Sequence, residues 1–332
     1  MASHRTHRAR DVRSRAPGAG APPRGRPHPF RAVVIRIISA ALRATVQDRG
    51  RFGQLRAGVP PSGPADPFAF AAANALVGND PDAAAIEIVG SPFTFRCDDR
   101  RVIAVTGRDV ALRLRDRIAG WTAVFARAGE EVRIVAGERS RFGYLAVSGG
   151  ITTDTVLGSR ATYLPARLGR ALQAGDALPI GAMRVDPTRA GRTLVAPEYQ
   201  DEQVRAITGP HAERFTEEAL AVFLSSTFQV DASSDRMATR LGGPDVVARQ
   251  GEILTCGVLA GAVQVPSGGA PIVLLADHQA TGGYPVIATI ITADLGRVAQ
   301  RLPGEPLRFV RVARDRAVAA LRDERRAFAA IA

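Results

Sequence analysis

Residues 271–292 read PIVLLA, then DHQATGGYP, then VIATIIT. The outer runs, 271–276 and 286–292, are apolar and β-branched, and the segment between them is polar, which predicts strand, loop, strand with the loop at the end of a sheet. Gly282 and Gly283 carry no side chain, so the backbone there is free to take positive φ or to let another group approach its N–H donors. Around that gap stand the carboxylate of Asp277, the imidazole of His278, the carboxamide of Gln279, the hydroxyl of Thr281 and the phenol of Tyr284. Such a set suits a binding or catalytic loop, and it equally describes a hairpin whose polar groups satisfy one another.

Outward from this loop the chain keeps the same character. Of its 332 residues 46% are hydrophobic and only 5% aromatic, with 33 Gly and 22 Pro, a composition that favours a loop-rich β protein over a helical bundle. Strands are predicted near 33–38, 86–88, 93–96, 102–106, 110–114, 123–126, 131–135 and 144–147, and again near 204–207 and 228–230. That is the spacing of a barrel or sandwich. Residues 45–51 read as a polar turn. Asp66 followed by Pro67 predicts a helix start and Gly78 its stop, with Asn74 in mid-helix needing a partner for its amide. Further helices are expected after Thr216, from Asp294, and over the amphipathic segment 312–332. There Val318, Leu321, Phe328 and Ile331 share one side for packing on the body or a partner. A subdomain boundary is placed near 186–200, in a segment rich in Pro, Arg and Gly.

Composition also excludes several functions. No apolar run approaches the roughly 20 residues that span a bilayer, and residues 1–31 lack the apolar core of a secretory signal. Cys97 and Cys256 read as buried thiols, and a cytoplasmic location follows by default. The formal charge of +12 is mostly a tail, since residues 1–31 hold eight arginines against Asp11 alone. That tail is expected to be disordered, with nucleic-acid binding disfavoured for want of interleaved aromatics. A start of translation near Val33 is an alternative account of it. All 44 basic residues are arginine, so a Walker A loop, a Schiff-base lysine and a biotinylated lysine are excluded from this polypeptide.

Beyond the loop, Arg49 and Arg51 beside Asp48 form either an anion contact or a surface ion pair. Ser62 and Asp66 precede a helix N-terminus, where capping alone explains Asp66. Glu87 interrupts an apolar strand and faces away from Ile86 and Ile88, either toward water or into a site. Ser233 to Met237 with Arg240 form a turn of hydroxyl, acid and base. Outside the tail the chain has two histidines, His211 and His278, either able to act as a general base or to be hydrogen-bonded structure. A histidine or CxxC metal site is disfavoured, and Asp66, Asp235 and Asp277 lack ligand spacing; no metal is expected. The context of Ser148 is not GxSxG.

TVQDRGRFG (45–53), GVPPSGPADPFAFAAANALVGN (58–79), ITGPHAERF (207–215), SSDRMATRLGGP (233–244), GAVQVPSGGAPIVLLADHQATGGYP (261–285) and IATIITADL (287–295) resemble, in order, the KipA family. It is also known as the allophanate hydrolase subunit 2 family, the family of the 5-oxoprolinase C subunit, or the biotin-dependent carboxyltransferase family. The resemblance implies a mainly β fold with a few helices, built as tandem cyclophilin-like β-barrel subdomains at 32–190 and 200–312, with a C-terminal helix at 313–332. It implies a cleft in which Asp277, His278 and His211 share acid and base roles. Arg49, Ser62, Asp66, Ser234, Asp235, Arg236, Arg240, Gln279, Thr281, Gly282, Gly283 and Tyr284 would bind substrate there. Asp277→Ala is expected to abolish activity without unfolding the protein. The sequence departs from the family pattern at His278, where Arg is more usual, and at Ala280, where Thr is.

Three functions follow from the resemblance. One is a subunit of an ATP-dependent 5-oxoprolinase, opening a lactam beside a KipI-like (allophanate hydrolase subunit 1-like) partner and a LamB/YcsF-like partner. Another is a carboxyltransferase component acting on a urea-like or amide substrate, with biotin on another chain. The third is a KipA-like antagonist of a kinase inhibitor, without catalysis.

Overall fold

Strand Ala85–Val89 shows how the first half is layered. Ile86 and Ile88 point into one core with Ile37, Phe95 and Val132, while Ala85 joins a second core with Ala104, Tyr144 and Ala146. Both faces of its sheet are therefore covered, as the alternation of side chains requires of a strand buried throughout. The sheet has five antiparallel strands in the order Arg43–Gln47, Ala85–Val89, Gly143–Val147, Arg101–Gly107, Thr122–Ala126. One face packs on a six-stranded sheet formed by Ala177–Pro179, Val34–Ser39, Phe93–Cys97, Glu131–Ala136, Val110–Arg113 and Arg117–Ala119. The other receives helix α1 (Pro67–Val77). This is a computed structural model; it describes residues 33–182, 187–249 and 253–329, so the tail at 1–31 lies outside the described residues.

Helix α1 forms where its punctuation predicts. Asp66 Oδ1 accepts from Ala69 N–H at 3.1 Å, Pro67 occupies the first turn, and Gly78 ends the helix with φ 77°. Asn74 finds its partners in the loop beyond: Nδ2 donates to Ala83 O at 2.7 Å, and Oδ1 accepts from Asn79 Nδ2 at 3.0 Å. One reading fails locally. Residues 45–47, predicted as a turn, complete the strand Arg43–Gln47, whose Thr45 lies opposite Glu87 in the ladder.

In the second half seven strands close a barrel: Gln203–Thr208, Val286–Ile290, Ala262–Gln264, Ile272–Leu274, Ala238–Gly242, Phe228–Val230 and Pro306–Arg311. The closing pair, Pro306–Arg311 on Gln203–Thr208, is parallel. Helix α2 (Glu217–Ser225), capped by Thr216 as expected, lays Phe223 on Phe309 with ring centroids 4.3 Å apart. The two strands flanking the 277–285 loop do not pair with each other; each pairs with Ala262–Gln264 from opposite sides. The loop is a crossover at the barrel end rather than a hairpin. A short helix α3 (Leu295–Ala299) and a final helix α4 (Arg314–Ala329) complete the chain, and α4 rests on α1 and the strand Gln203–Thr208. Val318 remains substantially exposed, and the side chains of Phe328 and Ile331 lie outside the described residues.

The mainly β architecture with few helices is thus present, and its two halves share a core. Phe70, Trp121 and Tyr144 of the first belong to the same cluster as Phe223, Phe228 and Phe309 of the second. Cys97 and Cys256 are free thiols, the first buried and the second half-buried. Among the described residues no helix is long and apolar enough to cross a membrane.

Candidate functional site

Two loops of the first half lie against each other so closely that glycine is required in both. A Cβ on Gly50 would stand 2.9 Å from Pro61 O, and one on Gly63 (φ 83°) 2.9 Å from Arg49 O. Arg51 N–H donates to Pro61 O at 2.6 Å, fixing the register. The proline-rich loop thus has a set path, and Ser62 is held at φ 54°, a left-handed conformation that a residue with a Cβ adopts at a cost.

The loop is then tied to the barrel by Arg236. Its Nη2 donates to Gly63 O at 2.6 Å and to Asp277 Oδ1 at 3.1 Å, Nε donates to Asp277 Oδ2 at 2.8 Å, and Nη1 pairs with Glu87 Oε1. Glu87 is 2% exposed, so the water-facing reading of this carboxylate is overturned. Its other oxygen accepts from Ala65 N–H at 2.9 Å and from the Tyr144 hydroxyl at 3.0 Å, which in turn accepts from Asp66 N–H at 2.7 Å. Burial opposes the charge on Arg236, but Glu87 and Asp277 outweigh it and hold the guanidinium more firmly protonated than usual. Burial, reinforced by the charges of Glu87 and Asp66, pushes the Tyr144 phenol well above its ordinary value, so it stays a donor.

Against this tied loop lies a cavity of about 460 Å³, a size that suits a small molecule. The first half contributes Arg49, Phe52, Ser62 and Phe70 to its wall, and the second Leu259, Leu275, His278 and Leu295. Most of the lining is apolar. Among the described residues, Ser62 and His278 in this wall each keep one side-chain atom without a protein partner. Ser62 Oγ is buried with no hydrogen bond. His278 Nδ1 lies 2.6 Å from Gln279 O, which can only accept, so the proton sits on Nδ1 and Nε2 is a bare acceptor. Among the described residues no hydrogen bond engages Nε2. Burial, partly opposed by the Gln279 carbonyl and the Asp277 charge, lowers the His278 pKa, so the ring is neutral at neutral pH.

Of the residues predicted to gather, the cavity holds Arg49, Ser62 and His278. Arg49 is exposed and pairs with Asp82 at 3.2 Å, whereas Arg51 is buried and donates to Val156 O and Ala161 O. Asp48 accepts from Ser159 Oγ and Arg160 N–H, so that trio is dispersed. Asp277 and Arg236 lie in the ion network, outside the cavity wall. Asp66 lines a separate cavity of about 330 Å³ beneath α4, where Tyr199 donates to it at 2.7 Å. His211 accepts from Val286 N–H at its Nδ1. Ser234 exchanges hydrogen bonds with the Arg240 backbone, and Asp235 caps the turn through Met237 N–H and Ala238 N–H. Gln279 donates to Gln264 Oε1 at 3.2 Å, and Thr281–Gly282 pairs with Cys256–Gly257. Gly283 O accepts from Ile253 N–H, and Tyr284 is half exposed. Tyr144, Tyr199 and Gln300, which serve Glu87 and Asp66, carry no local sequence signal.

No set of three or more His, Cys, Asp or Glu fit for a metal occurs among the described residues. The N-terminus of α1, beside the cavity, is already capped by Asp66, whose Oδ1 accepts from Ala69 N–H.

The family described as carboxyltransferase domain, subdomain A and B, matches residues 57–311. The C subunit of 5-oxoprolinase from Escherichia coli (strain K12) is 38% identical over 307 residues, covering 90% of this chain and 98% of that protein. The crystal structure of TTHA0988 superposes with a TM-score of 0.77 at 32% identity; the match covers 88% of this chain and 59% of that one. The Kluyveromyces lactis urea carboxylase gives a TM-score of 0.79 at 26% identity, over 92% of this chain and 30% of the longer one. The chain therefore belongs to the carboxyltransferase-domain family that includes the C subunit of 5-oxoprolinase.

Proposed function

We propose that this chain is a subunit of an ATP-dependent 5-oxoprolinase that opens the lactam of 5-oxoproline to glutamate, working with a KipI-like and a LamB/YcsF-like partner. The observation that carries this reading is the likeness to the Escherichia coli 5-oxoprolinase protein, which runs through 98% of that protein's length. The cavity adds a place of suitable size and polarity for a small ring. In this reading ATP belongs to a partner or a shared surface. A second reading, carboxyl transfer to a urea-like acceptor, is favoured by the fold of the Kluyveromyces lactis urea carboxylase. It requires biotin on another chain, because this one has no lysine.

The test is glutamate release from 5-oxoproline, with and without ATP, by this chain alone and co-assembled with both partners. Release only from the ATP-fed complex is expected. A correctly assembled complex that releases none overturns the reading and turns attention to carboxybiotin and urea-like acceptors.

A further inference from the structure

Two cavities of this molecule lie back to back, divided by a wall that two short segments build. Along 64–71, Pro67 and Phe70 line the candidate cavity, while Asp66 and Phe68 line the cavity of about 330 Å³ beneath α4. Along 292–297 the same division recurs: Thr292 and Leu295 reach the first cavity, Asp294 and Gly296 the second. The segments interlock, since a Cβ on Gly296 would collide with Asp66 Oδ1. Over the second cavity lies α4, which turns Ala320, Asp323, Glu324 and Ala327 toward it, spaced as one side of a helix. Two alanines and two acids bury little apolar area, so the helix is lightly held there. We infer that α4 is a releasable clamp: docked, it steadies the wall shared by the two cavities, and its release loosens that wall and with it the candidate site.

The groups around Glu324 decide when the clamp holds. Asp66 faces it from the start of α1 and Asp294 from the 292–297 segment, both fully buried; Arg205 faces it from the strand Gln203–Thr208 but is already forked on Asp294. Arg297 pairs with Asp201, Asp323 with Arg326, and Tyr199 donates to Asp66. A charged Glu324 thus meets two buried carboxylates offset only in part by Arg205. Burial and those carboxylates raise its pKa from an ordinary 4.5 to about 7, so docking is fully favoured below about 4.5 and is lost as pH rises through about 7. The wall passes this on. Asp66 Oδ1 holds Ala69 N–H in the first turn of α1, and Asp66 N–H donates to the Tyr144 hydroxyl, which donates to Glu87, the partner of Arg236. Asp66 is therefore a positioning residue through which α4 reaches the ion network that ties the loop, whichever reaction the cavity serves.

The test is hydrogen exchange of the full chain at pH 5 and pH 8, corrected for intrinsic rates. It is read at 314–327 and at the wall amides of Ala65, Asp66, Ala69 and Asp294, with Glu131–Ala136 of the other sheet as reference. Raising the pH is expected to loosen helix and wall together about tenfold and to leave the reference unchanged. Glu324→Gln should abolish both changes. Ala320→Gly alters no charge and only weakens the helix; it should loosen the wall about fivefold already at pH 5. Ala320→Leu, for which the cavity has room, should keep helix and wall protected at pH 8. A wall whose protection stays constant while 314–327 loosens, whether in wild type at pH 8 or in Ala320→Gly at pH 5, overturns the inference. So does a wall that loosens with pH as much in Glu324→Gln as in wild type.

Discussion

Arg236 is the side chain on which the site's geometry rests. It answers two buried carboxylates, so its loss leaves Glu87 and Asp277 uncompensated in a dry environment. Arg236→Met is expected to lower stability by about 3–5 kcal/mol in urea denaturation. Arg236→Lys should recover little of this, because an ammonium cannot reproduce the fork on Asp277. Asp277→Ala, expected from sequence to spare the fold, should instead cost stability too, about 3 kcal/mol by the same measurement, since it leaves part of the guanidinium unpaired. His278 adds a pH dependence. Its pKa is lowered in the folded chain from an ordinary 6.5, so the unfolded chain takes up the proton first and stability falls as pH drops below about 6.5. Asp277 and the Gln279 carbonyl beside the ring, with Arg49 and Asp82 across the cavity, are unchanged in His278→Asn. That variant should flatten the acid limb of a stability–pH curve. The polarity of these residues was legible in sequence; their pairing was not, since Arg236 and Glu87 are 149 positions apart and nothing local links them.

At the scale of elements, what was legible followed from short-range rules. Helix α1 was readable because its cap, its proline and its stop are each local. Residues 45–47 were misread because a polar strand edge looks like a turn until its ladder partner, Glu87, is known. Crossover and hairpin likewise share one pattern along the chain; only the insertion of Ala262–Gln264 between the flanking strands separates them. Helix α4 carries its own prediction. Burial, then the charges of Asp66 and Asp294, with Arg205 opposing, raise Glu324 from an ordinary 4.5 to about 7. The folded chain keeps a proton that the unfolded chain releases, so docking of α4 weakens as pH rises from about 4.5 to about 7. Hydrogen exchange over 314–327 should be faster at pH 8 than at pH 5 after correction for intrinsic rates. Glu324→Gln should remove the difference, and equal protection at both values in wild type would count against a strained contact.

Across the whole molecule the shared core predicts one unfolding event. Trp121, the single tryptophan, packs on Phe68 and on Tyr199 within the cluster that also contains barrel residues. Its fluorescence and the far-ultraviolet dichroism, dominated by strands of both halves, should therefore share one midpoint in denaturant. Two separated midpoints would show that the core is divisible. The closing strand of the barrel has a mechanical meaning as well. Pro306–Arg311 is zipped on one side to Gln203–Thr208 and on the other to Phe228–Val230, and α4 follows it directly. An unfolding motor that grips the C-terminal helix loads this strand before any other. Its extraction opens the barrel and strips Phe309 from the common core, so pulling from this end is expected to unfold the barrel in one step.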